Sequence, residues 1–236
     1  MNQINNDWNE PPMKPMKLIY RMCDKTMGTH MEGVGKIDCL KNFKDTFGCT
    51  QVVIIADNCS EGFINAAKLL GFKDFHKTTL GNSQSFAFAL DLSLNMTDDQ
   101  LVYFVEDDYL HHKDASYIIK EGIKIGDFVT LYDHPDKYGE GTPNPLVSHG
   151  GELTRVLLTK SCHWKETNST TMTFACKVGT LRKVHEKMRV YLDTPTPRDY
   201  PMWVDVRFDK TLVSSIPGYS THCHEPWVTP FFKVPK

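Results

Sequence analysis

Leu101-Val-Tyr-Phe-Val-Glu-Asp-Asp-Tyr-Leu-His-His112 is the stretch on which the reading of the fold turns. Five apolar residues in a row, Leu101 to Val105, read as a strand buried on both faces. The strand runs straight into Glu106, Asp107 and Asp108. Burying an unpaired carboxylate is prohibitive, so the three acids belong where the strand leaves the sheet. In open α/β sheets, ligands bind at the carboxyl ends of the strands. Carboxylates crowded there repel one another and favour a divalent cation with hard oxygen ligands. The plainer reading is an acidic turn that caps the following helix.

Working outward, residues 17–23 (KLIYRMC), 51–56 (QVVIIA) and 72–79 read as three more strands. Helices fall between them at 37–47, stopped by Gly48, at 61–70, and from Gly81-Asn82-Ser83 onward, with Asn82 or Ser83 as N-cap. Residues 111–123 read as a helix and 127–132 (DFVTLY) as a fifth strand. Strand and helix in alternation predict a parallel, doubly wound α/β sheet in a single domain. Residues 1–16, rich in Pro and Asn, read as a mobile lead-in. Pro135, Gly139, Gly141, Pro143 and Pro145 mark a long loop over 133–148. The spacing then predicts paired strands at 152–161 and 170–177, joined through His163-Trp164-Lys165. That junction is either a lip facing a sugar or phosphate, or a plain hairpin tip. A basic amphipathic helix at 178–191 and a helix at 199–212 with Pro201 in its first turn follow.

Net charge −2 excludes a general nucleic-acid binder, which would carry a basic stripe. Seven cysteines, dispersed and without a CxxC pair, read as reduced thiols rather than a disulfide framework. No signal peptide and no membrane span is expected from the hydrophobic pattern. The expected location is the cytoplasm.

Two polar strand ends converge in such a sheet: Asp57-Asn58 after the second strand, and the acidic triplet after the fourth. Acids and amides there suit the hydroxyls and base edge of a nucleotide, although Asp57 alone also reads as an N-cap. The Gly81-Asn82 helix start offers free N–H groups to an anion. There is no GxxxxGK[ST], and no GxGxxG follows the first strand, so a phosphate must be met by metal and side chains. His222 and His224 lie on one side of an extended chain, with Cys223 opposite. Zinc would need two further ligands, whereas one imidazole beside a carboxylate-held Mg²⁺ or Mn²⁺ needs fewer. Asp199 falls at a helix N-cap; Asp205, beside Met202 and Val206, is the better placed general base.

An apolar strand ending in Glu106-Asp107-Asp108, with the Asp57-Asn58 strand end, the Gly81-Asn82-Ser83 helix opening, the late acidic helix and the Ser220-Thr221-His222-Cys223-His224 tail, resembles the GT-A fold nucleotide-sugar glycosyltransferases with a DxD-type motif. Within that group it is similar to small domains of large DNA viruses, phages and bacteria. The resemblance covers residues 17–232. It implies a mostly parallel, Rossmann-like sheet with helices on both faces and a smaller mixed sheet. Residues 17–132 would then bind the nucleotide sugar, and 133–236 the acceptor. It further implies Mn²⁺ or Mg²⁺ on Asp108, completed by His222 or His224, and a base at Asp199 or Asp205. The donor side would be Arg21, Asp57, Asn58, Gly81, Asn82, Ser85, Glu106 and Asp107, with Asp57 on the base or ribose and Glu106 on the ribose or behind the metal. The donor expected is a UDP-sugar in preference to a GDP-sugar, and the acceptor a glycan or other hydroxyl. EDD in place of a strict DxD leaves the division of roles among the acids open. A nucleotidyltransferase is the alternative, though it should carry a basic glycine-rich loop where this chain has only Arg21 and Lys25. A catalytically idle nucleotide-sugar or glycan-binding module is another.

Overall fold

The computed structural model describes residues 14–25, 31–139, 144, 146–148 and 151–232. Residues 1–13 of the expected lead-in, and Gly141, Pro143 and Pro145 of the expected loop, lie outside the described residues. The end of the lead-in is docked: Met16 is buried, and the Pro15 carbonyl accepts from Gln100 Nε2.

The strands β1 (Lys17–Met22), β2 (Val52–Asp57), β3 (Asp74–Thr78) and β4 (Leu101–Glu106) lie parallel in the order β3-β2-β1-β4. Between them run α1 (Lys36–Phe47), α2 (Glu61–Leu69) and α3 (Asn82–Ser93). Gly48, with φ 75, stops α1 in the left-handed region that glycine occupies without steric cost. The N-cap of α3 is Gly81, φ 81, rather than Asn82 or Ser83, which form the first turn.

The rest of the chain comprises β5 (Tyr109–His111), α4 (Ala115–Gly122), β6 (Phe128–Thr130), β7 (Val147–Ser148), β8 (Gly151–Glu152), β9 (Val156–Leu158), β10 (His163–Glu166), β11 (Phe174–Lys177), α5 (Val178–Arg189), α6 (Asp199–Val206), β12 (Leu212–Ile216) and β13 (Ser220–His222). One nine-stranded sheet results, β3-β2-β1-β4-β11-β6-β12-β10-β9. Its strands are mostly parallel. β11 runs antiparallel between β4 and β6, and β10 antiparallel between β12 and β9. The smaller sheets are the two-stranded ladders β5-β13 and β7-β8. Among the described residues no helix is long and apolar enough to cross a membrane.

Three expectations are corrected. The segment 163–165 is not a junction: it lies within β10, Trp164 is fully buried, and β11 pairs with β4 and β6 instead. Lys165 is buried there because Asp133 lies 2.9 Å from its ammonium and the Tyr138 ring covers it. The helix expected over 111–123 begins only at Ala115, since residues 109–111 form β5. The helix expected over 199–212 ends at Val206, and Leu212 opens a strand.

Period-two alternation sorts the side chains of the sheet. Leu18, Tyr20, Leu101, Tyr103 and Val105 pack with Leu40 and Phe43 of α1 and Ile118 of α4. Ile19, Val102 and Phe104 pack on the other face with Phe86 of α3, Leu181 of α5 and Trp203 of α6. The same parity carries past the apolar run. It delivers Glu106 and Arg21 to the α3 face and Asp107 to the α1 face.

Candidate active site

The acidic turn divides as that parity requires. Glu106 Oε1 accepts from Arg21 Nη2 at 3.0 Å, and the other guanidinium nitrogen donates to the Asn82 carbonyl, Asn82 Oδ1 and Ser85 Oγ. Arg21, Asn82, Ser85 and Glu106 are therefore one cluster at the start of α3. Asp107 points the other way, toward α1: its Oδ2 accepts from Cys23 N at 2.7 Å and lies 3.0 Å from Lys36 Nζ. An acid committed to those two donors holds the turn to α1 and is the least available of the three to a donor.

Asp108 faces β13. Its carbonyl accepts from Cys223 N at 2.7 Å, and its Oδ2 is 3.0 Å from His222 Nε2. The second oxygen, Oδ1, is buried and has no hydrogen-bond partner. His222 is held flat on the Tyr109 ring, with centroids 5.2 Å apart and planes 6° apart, because β13 pairs with β5 in the register His222 to Tyr109. His224 stacks behind it at 5.6 Å.

Electrostatics separate the acids further. Burial pushes the Glu106 carboxyl up to about 7, with Asp108 adding to the rise and Arg21 opposing it. Burial likewise raises Asp107 to about 6 against the pull of Lys36. Burial works against the charge on Asp108 too, but His222 and Lys36 outweigh it and hold this carboxyl below its ordinary value. The imidazole responds in kind: burial opposes its charge, yet Asp108 and Glu106 raise His222 above its usual value. Of the three acids, Asp108 is the one whose surroundings favour the charged form over an ordinary carboxyl.

An orphaned carboxylate oxygen beside an imidazole is a donor set that Mn²⁺ or Mg²⁺ accepts once the imidazole gives up its proton to solvent. Among the described residues no three His, Cys, Asp or Glu side chains form a preformed cage. The protein would supply two ligands, and the remaining positions would fall to substrate phosphates and water, the usual arrangement for Mg²⁺.

The other expected residues are placed as follows. Asp57 is buried, and both of its oxygens are engaged: Oδ1 by Thr78 Oγ1 and Leu80 N, Oδ2 by Asn58 Nδ2 and Gly81 N. Four donors fill the lone-pair sites of a carboxylate. Asp57 therefore organises the turn that presents Gly81, and Ser60 rather than Asp57 caps α2. Asn58 sits at φ 52 beside it. Asp199, the first residue of α6 rather than its N-cap, lines a cavity of about 230 Å³ with His134, Asp136, Thr171, Tyr200 and Trp227. Burial raises its carboxyl above the ordinary value. The cavity adjoins the acidic turn, since Thr171 bonds Tyr109 Oη at 2.7 Å and the charge of Asp199 bears on Glu106. Asp205 is not brought there. At the other end of α6, its side chain is 41% exposed and engaged by Lys187 and by the Tyr191 hydroxyl, so the burial that would have made it a base is lacking. A larger cleft, about 350 Å³ beside Arg155 and Arg207, is lined by none of the acidic-turn residues.

His134, Asp136 and Trp227 escaped the sequence reading. His134 follows the end of β6, the same edge of the sheet that drew attention to Asp57 and Glu106, so that rule could have found it. Trp227 lies in the proline-rich tail, where no periodicity marks it.

No protein-family model matches the chain, and no curated protein matches it in sequence. Solved structures match it in fold. GalNAc-T7, solved with UDP, GalNAc and Mn²⁺, superposes with a TM-score of 0.56 at 10% identity, over 92% of this chain and 46% of that one. An active-site mutant of LgtC superposes with a TM-score of 0.50 at 10% identity, over 84% of this chain and 72% of that one. The chain shares the GT-A fold of these glycosyltransferases.

Proposed function

We propose that the protein is a divalent-metal-dependent glycosyltransferase, which moves a sugar from a nucleoside-diphosphate sugar, UDP-linked in preference to GDP-linked, to a hydroxyl of a glycan or similar acceptor. The observation that carries the reading is Asp108: a buried carboxylate just past the end of a central strand, with one oxygen on His222 and the other buried without a partner. A divalent ion held by Asp108 and His222 would neutralise the charge that builds on the departing diphosphate. Glu106, fixed by Arg21, and the Asn82–Ser85 turn form the donor wall. Asp57 acts on the donor indirectly, through the turn it holds.

In the transfer, the acceptor oxygen forms a bond to the anomeric carbon while the bond from that carbon to the diphosphate breaks. Asp199, with a carboxyl raised by burial in the adjoining cavity, takes the acceptor proton. Trp227 and Tyr200 give the cavity apolar faces for a sugar ring, and Thr171 gives it a hydroxyl.

Calorimetry with UDP, GDP and their sugars, in Mn²⁺ and in EDTA, tests the reading. Metal-dependent binding, tighter for UDP, is expected, and absence of metal-dependent binding of any of them overturns it. Slow release of UDP from a UDP-sugar without acceptor separates an enzyme from a binding module.

A further inference from the structure

The seven cysteines are all free thiols, and they differ in what surrounds them. Cys162 and Cys49 reach backbone carbonyls, and Cys176 is enclosed in the apolar core. Cys23 and Cys59, partly exposed, contact Lys36 and the Met22 carbonyl. Among the described residues one sulfur–sulfur contact is found: Cys39 Sγ and Cys223 Sγ are 3.8 Å apart, both at most 1% exposed, across 184 residues of sequence.

The contact lies on a seam. One face of α1, at intervals of three residues, grips three separate pieces of the site. Lys36 holds Asp107, Cys39 meets Cys223, and Asn42 both donates to and accepts from the backbone of His111. Lys36 and Asn42 are tied by hydrogen bonds or ion pairs; Cys39 touches its partner by a thiol alone. Cys223 directly follows His222 and donates its N–H to the Asp108 carbonyl, so whatever fixes Cys223 fixes the tail at the acidic turn.

We propose that Cys39 and Cys223 are an oxidative modification site, closing to a disulfide that tethers the His222-bearing tail to α1. With hydrogen peroxide as oxidant, one thiolate attacks a peroxide oxygen, and the O–O bond breaks to give a sulfenic acid and hydroxide. The second thiol then displaces the sulfenic oxygen as water and forms the S–S bond. Two thiols and one peroxide give one disulfide and two waters, each sulfur losing one electron. The sulfurs must close to about 2.0 Å, a movement shared between a helix and a short segment after β13. The contact with Cys223 and burial push the Cys39 thiol up, so the closed pair reacts slowly and oxidation runs through local opening of the tail.

The reduced protein is exposed to hydrogen peroxide in urea below its unfolding midpoint, alkylated after full denaturation, digested with trypsin and mapped by mass spectrometry. The expected product joins peptide 37–41 to peptide 211–233, less two hydrogens, and is reversed by dithiothreitol. Cross-linked protein should melt several degrees higher than the reduced form. Cys39→Ser and Cys223→Ser should each lose the linked peptide, while Cys176→Ser keeps it. Recovery of Cys39 and Cys223 as separately alkylated thiols, or of either linked to another cysteine, overturns the proposal. Because the wild-type map decides alone, a serine variant that fails to fold does not blunt the test.

Discussion

At the scale of single residues, the acidic turn shows how one strand end yields three carboxylates with three employments. Glu106 is steadied by Arg21, Asp107 is anchored to α1, and Asp108 keeps a buried oxygen without a partner. If that oxygen serves a metal, Asp108→Asn should reduce metal-dependent turnover by roughly 100-fold or more while leaving the melting temperature within a few degrees. Steady-state rates and a thermal melt on the same sample check this, and unchanged turnover removes Asp108 from the metal site. His111 offers a second test. Burial pushes its imidazole from an ordinary 6.5 down to about 3. Between those values the unfolded chain carries a proton on His111 that the folded chain lacks. Its contribution to stability is therefore whole above pH 6.5 and lost as pH falls toward 3. His111→Phe should flatten that acid limb, seen as a smaller drop in urea midpoint between about pH 7 and pH 4.5. At neutral pH it should cost about 1–2 kcal/mol, because Tyr103 Oη loses its partner at 2.8 Å.

Among the elements, those legible in the sequence were the ones whose residues obey one rule throughout. β2 and β4 are unbroken apolar runs, and α1 ends at a glycine that can adopt positive φ. β10 was hidden because His163 and Lys165 make it look exposed; Asp133, Glu152 and the Tyr138 ring, outside the strand, render Lys165 buriable. β12 was hidden because Ser214 and Ser215 dilute its pattern, and the carbonyls that satisfy them come from Leu131 and Tyr132. The acidic turn and His222 were readable from local chemistry, whereas the cavity of His134, Asp199 and Trp227 exists only once three separated segments meet. Packing between α4 and β10 is tight enough to test. A Cβ on Gly122 would stand 2.5 Å from the Trp164 ring and 2.8 Å from Val129. Gly122→Ala should lower stability by about 1–3 kcal/mol through overpacking, measured by urea denaturation. A neutral result would mean that α4 can shift away from the sheet.

For the whole molecule, the nine-stranded sheet sets a gradient of persistence. β1, β4 and β11 are paired on both sides and covered on both faces, whereas β9 is an edge strand with Val156 and Leu158 largely exposed. Hydrogen exchange should be slowest at β1 and β4 and fastest at β9, with β13 between them, since it pairs with β5 and has one further bridge, Ser220 to Tyr132. Slow exchange at β9 would reveal a partner strand on that edge. The late position of β13 also bears on how the protein is made. Four parallel strands and their helices can form while the chain is still leaving the ribosome, and Asp108 is then already in place. His222 arrives only with β13. Until then the Asp108 carboxylate lacks its His222 contact. On the function proposed above, a metal site built from Asp108 and His222 would be assembled only once β13 has formed.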